Sequence, residues 1–501
     1  MNRGALSAKY LFDISTANYG ICLEGSGTRG CGTPQSAPFE MSAPKRIRLF
    51  ALKQSTVGHT AVGLWRHPEN QAARYTDLDY WTSTAKTLEE GFFDGLFIAD
   101  ALGVLDVYAG SADDTLRHGV QTPTDDPLLT ISAMAAVTRR LGFAVTVSTS
   151  YELPYAFARK MTTLDHLSKG RIGWNIVTSA LDSAARNLGL THQVPHDERY
   201  VIAEEFMEVV YRLWESSWQD GAVVADRERG IFVDPCKVRR IAHAGKYFTV
   251  PDFALSEPSV QRTPALFQAG TSTAGRAFAS RHAEGVFLSV PLAAMARPLI
   301  ADIKARAAAA GRHPSDLKFI AMAAVVVAPT DAEAQRKHSE YLSYISVEGH
   351  LARHSALFQL DLSTVGLDTP LEYVESEGIR STLEVFTRLD PSRRWTPRQM
   401  AESLGLAAGG PTFVGSPSTV ADAMEQWMLE GDLDGFNILD PMPLRSYPEF
   451  VEWVVPELQR RGRVWRKYAG ATLREYLQGE GHTRTLHTHP AGIIRNSPDL
   501  R

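Results

Sequence analysis

The stretch PALFQAGTSTAGR, residues Pro264–Arg276, sets the reading of the whole chain. Ala265, Leu266, Phe267 and Ala269 read as a short buried strand, and Gly275 to His282 reads as a helix. Between them, Gly270-Thr271-Ser272-Thr273 turns one into the other through small and hydroxylated residues. A helix entered this way leaves its first amides unpaired and aimed at one spot. That spot favours an anion, and the hydroxyls of Thr271, Ser272 and Thr273 add donors for a phosphate. An ordinary Ser/Thr cap fits the same letters, and such caps far outnumber phosphate sites. The flanking chain decides between the two.

Outward from this stretch the pattern alternates. Apolar runs at Ile47-Arg48-Leu49-Phe50, Gly95-Leu96-Phe97-Ile98-Ala99, the segment before Thr149, Ile172-Gly173-Trp174-Asn175, Gly285-Val286-Phe287-Leu288, the segment after Leu317 and Gly435-Phe436-Asn437-Ile438-Leu439 predict strands. Amphipathic segments between them predict helices, among them one ahead of Gly91 and one ending near Trp214. Repeated β-then-α units demand a parallel sheet covered by helices, and about eight of them predict a closed (β/α)8 TIM barrel. The chain has 501 residues, long enough for such a barrel with insertions.

Two stretches break the rhythm. Residues 215–263 carry Gly, Pro and short β-like pieces and predict an inserted hairpin; residues 347–417 lack a steady period and suit a lid over the barrel mouth. Residues 1–44 are rich in Gly, Ser and Thr and read as a flexible extension without a secretory signal. Residues 478–501, with His482, His487 and His489, read as a flexible tail whose histidines are solvated rather than metal-bound. The barrel domain is therefore expected over 45–477.

Composition narrows the function. The sequence is 44% hydrophobic and 22% charged, values of a globular protein, and its net charge of −5 argues against nucleic acid or an anionic membrane as partner. No apolar run is long enough to span a bilayer. Cys22, Cys31 and Cys236 form neither a metal spacing nor a disulfide framework, which fits a reducing cytoplasm.

Ligands in a barrel bind where strands end. The predicted strand ends carry Asp100, Thr146 to Ser150, Asn175 with Thr178, and Gly270 to Thr273: hydrogen-bonding groups with few charges, suited to holding a polar cofactor. No paired-carboxylate, HExxH or GxSxG pattern is present. Asp100 reads equally as a helix cap. His196 and Tyr200 in HDERY lie four apart and share one face if the helix extends back to His196; a solvated capping segment is the alternative. His59 and the segment GLWRHP, residues 63–68, follow the first strand, where a packed loop anchor is the favoured reading of Trp65 and His67.

Taken together, GLWRHP (63–68), FDGLFIAD (93–100), TVSTSYELPYAFARKMTTLDHLSKGRIGWNIVTS (146–179), HDERY (196–200), QAGTSTAGR (268–276), DGFNIL (434–439) and VVPELQRRG (454–462) resemble the nitrilotriacetate monooxygenase component A and dibenzothiophene-sulfone monooxygenase family, within the bacterial luciferase-like superfamily. The resemblance spans about residues 46–477. It implies a barrel that binds reduced FMN supplied by a separate NAD(P)H:flavin reductase, uses O2 to oxygenate a small organic molecule, with C–N or C–S cleavage among the outcomes, and assembles as a homodimer or homotetramer. Position by position it implies that Asp100 lies against the flavin pocket and that Thr146 and Ser148 meet the ring. His196 and Tyr200 fall on flavin-contacting positions, and Thr271 and Ser272 on a phosphate-binding pair that is usually Ser-Ser. The family often pairs histidines after the first strand where this chain has His59-Thr60, and His59 and His196 are the candidates for proton control. The alternatives are a deazaflavin-dependent dehydrogenase on the same barrel and a non-catalytic flavin-binding protein. On the lid, Arg353, Arg380, Arg388, Arg393 and Arg394 suit a polyanionic substrate, whereas Leu357, Phe358 and Leu360 suit an apolar one.

Overall fold

The computed structural model describes residues 45–372, 386–387 and 394–497. The expected extension 1–44, and Arg380, Arg388 and Arg393 of the expected lid, lie outside the described residues. Eight parallel strands run in chain order: β1 (Arg48–Gln54), β2 (Gly95–Ala99), β3 (Gly142–Ser148), β4 (Ile172–Val177), β5 (Ala265–Gln268), β6 (Gly285–Leu288), β7 (Lys318–Val327) and β8 (Gly435–Leu439). Each pairs with the next, and β8 pairs with β1 (Arg48 opposite Gly435, Leu52 opposite Leu439), so the sheet closes on itself. The expected (β/α)8 barrel is present, and closure leaves its core strands no free edge.

The outer layer includes α1 (Leu78–Glu90), α2 (Pro127–Val137), α3 (Pro154–Ser168), α4 (His196–Tyr211), α5 (Thr273–His282), α6 (Ala293–Ala309) and α7 (Asp331–Leu342); α8 (Val347–Phe358) packs apart from it, against the loop after β1, and α9 (Pro417–Gly431) completes the layer. Alternate strand residues such as Leu96, Ile98, Phe143, Val145 and Trp174 pack outward in the cluster shared with these helices. The other set faces the barrel axis and forms its own core of Phe50, Phe97, Phe267 and Phe287. Phe267 and Phe287 stack at 5.1 Å, Phe97 and Phe287 at 4.3 Å, and Phe50 meets Phe267 edge-on at 5.5 Å. Burying rings of this size stabilises the fold by about 1.5–3 kcal/mol each. Room for them comes from glycine in the same tier: a β-carbon at Gly285 would lie 2.5 Å from the Phe267 ring, and one at Gly95 2.9 Å from Phe50. The barrel is a solid plug below its mouth.

The C-terminal residues close the opposite end, which corrects the expected flexible tail. A short helix, Leu473–Gln478, inserts Leu473 under the strands, where a β-carbon at Gly142 would lie 2.5 Å from it. A last helix, Pro490–Asn496, buries Ala491, and His489 is buried with Nε2 donating to the His282 carbonyl at 2.9 Å. His482 and His487 are exposed as expected. Leu473, Tyr476 and Leu477 anchor the first of these helices in the core, within the expected barrel domain. Beyond Gln478 the order rests on buried polar contacts, such as Arg495 to Glu215 (3.0 Å), which leave no hydrophobic period to read.

The two interruptions also differ in detail from expectation. Residues 215–263 form two antiparallel hairpins, Val223–Asp226 with Ile231–Val233 and His243–Ala244 with Thr249–Val250. Within 347–417, α8 and a helix Pro397–Leu404 are regular, and Thr412–Gly415 is a strand running parallel to Ala324–Val327 of β7. The end of that stretch therefore belongs to the sheet. Its Gly-Gly-Pro start hid it from a periodicity reading.

Candidate flavin site

Above the aromatic plug the inward positions turn polar. Gln54, Thr146 and Ser148 occupy this tier, Asn175 and Asn437 stand in register with the plug residues Phe267 and Phe50, and all five are buried. Asn175 donates from Nδ2 to Thr146 Oγ1 at 3.0 Å, and Ser179 donates to Ser148 Oγ at 2.8 Å. The side-chain oxygens of Gln54, Asn175 and Asn437 are buried with no hydrogen-bond partner. Such acceptors are costly to leave unmet, at about 1–3 kcal/mol each. A planar ring with N–H donors, seated on the plug, meets that need. Beside them Asp100, Thr146 and Ser148 line one cavity of about 200 Å³, together with Val177 and Ser179. Burial, reinforced by the charge of Asp126, raises the Asp100 carboxyl to about 6, while the Ala101 backbone opposes the shift.

The Pro264–Arg276 stretch forms the second part of the site. Ser272 caps α5, its Oγ accepting from the Gly275 amide at 3.1 Å, so the cap reading holds. The remaining first-turn amides have no intrahelical acceptor, and the cap reading and the anion reading coexist. α4 does extend back to His196, which puts His196 and Tyr200 on one face with ring centres 5.3 Å apart. That face meets the turn. His196 Nε2 lies 3.3 Å from Ser272 Oγ, and β-carbons at Gly270 or Gly275 would each lie 2.9 Å from the Tyr200 hydroxyl. Both glycines are thus required by the close seating of Tyr200. Burial raises the Tyr200 phenol, while contacts to Ser272 and Thr178 oppose the shift. Arg276 donates to the Thr271 carbonyl and pairs with Asp302, bracing the turn from outside.

His59 stands elsewhere. It lines a pocket with Gln54, Thr56, Tyr80 and Asp440, and among the described residues no hydrogen bond or ring contact joins it to His196. Burial, and then the charge of Arg353, lowers it to about 3, so at neutral pH it is an uncharged imidazole. Trp65 and His67 are loop anchors as expected: Trp65 Nε1 donates to the His118 carbonyl (2.9 Å) and His67 packs on Tyr344 at 5.0 Å.

Sequence reading missed several of these residues. Gln54 and Asn437 signalled themselves only as polar residues at the ends of apolar runs. Arg199, inside HDERY, is buried and its charge bears on Tyr200. Lys53 and Asp440, both buried, pair at 2.5 Å behind the mouth. On α8, His350 and His354 sit at full burial, where an unsteady hydrophobic pattern gave no cue.

A closed parallel barrel with a polar tier over a solid plug, and a helix terminus lined by hydroxyls at its rim, defines a protein built to seat a flat, phosphorylated cofactor. The model of the luciferase-like monooxygenase family matches residues 57–432, and the chain belongs to that family. It is 46% identical to a dimethyl-sulfide monooxygenase of Hyphomicrobium sulfonivorans over 90% of this chain and 94% of that protein. It is likewise 46% identical to a long-chain alkane monooxygenase of Geobacillus thermodenitrificans, covering 90% and 98%. Among solved structures, a riboflavin lyase with modified FMN and riboflavin superposes with a TM-score of 0.85 at 36% identity, covering 90% of this chain and all of that one. The chain is accordingly a flavin-dependent monooxygenase acting on a small organic molecule, and the dehydrogenase and carrier alternatives fall away.

Proposed function

We propose that this chain is the oxygenating half of a two-component system. A separate NAD(P)H:flavin reductase supplies reduced FMN, and the substrate binds between the flavin and α8. The observation that supports this most strongly is the pairing of a buried polar tier, with unmet acceptors, and the Ser272–His196–Tyr200 cluster at the rim. The fit is chemical: Gln54, Asn175 and Asn437 accept from ring N–H groups, Thr146 and Ser148 bound the ring edge, and the first amides of α5 with Thr271 and Ser272 take the phosphate. Reduced FMN, when bound, supplies the electrons that activate dioxygen, chemistry that side chains alone do not perform.

The residues divide the remaining work. Gly270 and Gly275 let Tyr200 close against the turn, which holds the phosphate end of the cofactor. Asp100, sitting in a site that favours its protonated form, offers a hydroxyl donor or a carboxylate acceptor to the ring edge according to pH. His59, held neutral, donates one hydrogen bond and accepts another on the substrate side without adding charge there. The solid plug and α8 exclude water from both faces of the site. A direct test couples the protein to a purified flavin reductase with NADH, FMN and 18O2, and screens short thioethers, alkanes and their carboxylated counterparts. Incorporation of one labelled oxygen atom into a product, dependent on both proteins, is expected. Oxygen consumption that yields only hydrogen peroxide across the whole screen would contradict the substrate range, and no dependence on the reductase would contradict the two-component reading.

A further inference from the structure

The barrel mouth encloses one cation that nothing in the described residues neutralises. α8 crosses the mouth with its N-terminal face pressed on the loop after β1. The Ser346 amide donates to the Val62 carbonyl at 2.9 Å, and a β-carbon at Gly349 would lie 2.5 Å from Val62 and 3.1 Å from His118. One turn further along that face stands Arg353, only partly exposed. Among the described residues it forms no ion pair. Its Nε is buried with no hydrogen-bond partner, and its nearest polar neighbour is an imidazole, with Nη1 3.4 Å from His354 Nε2. Burial alone lowers its guanidinium to about 10, with no carboxylate acting on it.

Other buried guanidiniums, including Arg262 and Arg312 whose Nε is also unpartnered, place their Nη groups on carbonyls or carboxylates. Arg474 pairs with Glu284 at 2.8 Å, and Arg171 donates to the carbonyls of Leu141 (2.8 Å) and Ala135 (3.0 Å). The surroundings of Arg353 sharpen the contrast. His350 is fully buried, with the Gly405 backbone as its polar neighbour. Burial and the charge of Arg353 hold both His350 and His59 down to about 3. These imidazoles are therefore neutral at pH 7, and that of His59 has one N–H to donate. A cationic fork flanked by a neutral donor is the complement of a carboxylate. Leu357 and Leu360, partly buried on the same helix and the turn after it, supply apolar surface alongside.

We propose that Arg353 is the substrate-orienting residue of this enzyme, and that its substrate carries a carboxylate on a short apolar chain; this rests on the flavin monooxygenase reading above. An unpaired guanidinium in this position discriminates by what it lacks: a neutral ligand leaves it uncompensated, and an anionic one completes it.

The test is calorimetric titration of the FMN-loaded protein with hexanoate and with hexan-1-ol, which share a chain length and differ in charge. Wild-type protein is expected to bind the acid about tenfold or more tightly than the alcohol, the scale of a hydrogen bond to a charged group. Arg353→Gln should bring the ratio close to one, Arg353→Lys should keep part of it, and both should leave FMN affinity unchanged. Equal binding of acid and alcohol by the wild type, binding of neither, or a preference that survives Arg353→Gln would overturn the assignment. So would loss of FMN affinity in Arg353→Gln, which places the guanidinium on the cofactor. A wild-type protein that binds no FMN removes the flavin reading alone, and the same titration of the flavin-free protein then decides the role of Arg353.

Discussion

At the turn into α5, polar groups answer one another: Ser272 Oγ takes the Gly275 amide at 3.1 Å and meets His196 Nε2 at 3.3 Å, while Tyr200 closes against two glycines. On α8, Arg353 has an unpartnered Nε and no counter-ion among the described residues. The first wall is assembled before any ligand arrives, and the second is left incomplete. Preorganisation of that kind suits a group that is the same in every turnover, because the cost of ordering the site is met by folding. An incomplete wall suits the partner that must be chosen, since only the correct ligand supplies what is missing. Changes at the α5 turn should therefore alter cofactor affinity, and changes on α8 the choice of substrate.

The sharpest way to break this division is Ser272→Asp. It sets a carboxylate against the expected phosphate, and like charges in such contact cost several kcal/mol. Affinity for reduced FMN, followed anaerobically by fluorescence, should fall about a hundredfold or more; unchanged affinity would remove the turn from the site. Next comes Gly275→Ala, whose β-carbon would lie 2.9 Å from the Tyr200 hydroxyl and 3.0 Å from the Gly270 backbone. Overpacking of this kind costs about 1–3 kcal/mol, so FMN affinity should drop about tenfold, and a melting temperature unchanged from wild type would locate the loss in the site rather than the fold. Tyr200→Phe deletes only a hydroxyl and should weaken FMN by about fivefold, near 1 kcal/mol. No change in FMN titration would leave Tyr200 a packing residue.

The smallest effect concerns pH. Asp100, raised to about 6 by burial, keeps a proton in the folded protein that the unfolded chain releases near 3.8. The folded state thus binds more protons in this window, and stability falls as pH rises through it, with the full cost present above about 6. Asp100→Asn should flatten that slope in denaturant titrations between pH 5 and 7. An identical slope in the variant would show that Asp100 titrates at its ordinary value.

How much of this was legible beforehand follows from where each element buries its surface. Ile172–Val177 and Gly435–Leu439 are covered on both faces, so each reads as a near-continuous apolar run and marked its strand without ambiguity. HDERY and the GTST turn were legible because capping and spacing chemistry is local in sequence. The closing C-terminal helices were not, since His489 and Arg474 are buried by polar contacts with residues about two hundred positions away. Arg353 was legible as one of five lid arginines suited to an anion, but what singles it out was not: its significance lies in an absent counter-ion, and absence from a neighbourhood is invisible until the neighbourhood exists. Folded, its charge bears on His59, which lies on the distant loop after β1.

The claim on which everything else depends is that the polar tier and the α5 turn together seat reduced FMN. Anaerobic titration of the wild-type protein with reduced FMN tests it most directly, with Ser272→Asp run in parallel. Saturable one-to-one binding in the micromolar range or tighter by the wild type, lost in the variant, is the predicted result. Absence of saturable binding by the wild type, or equal binding by both proteins, would contradict the account.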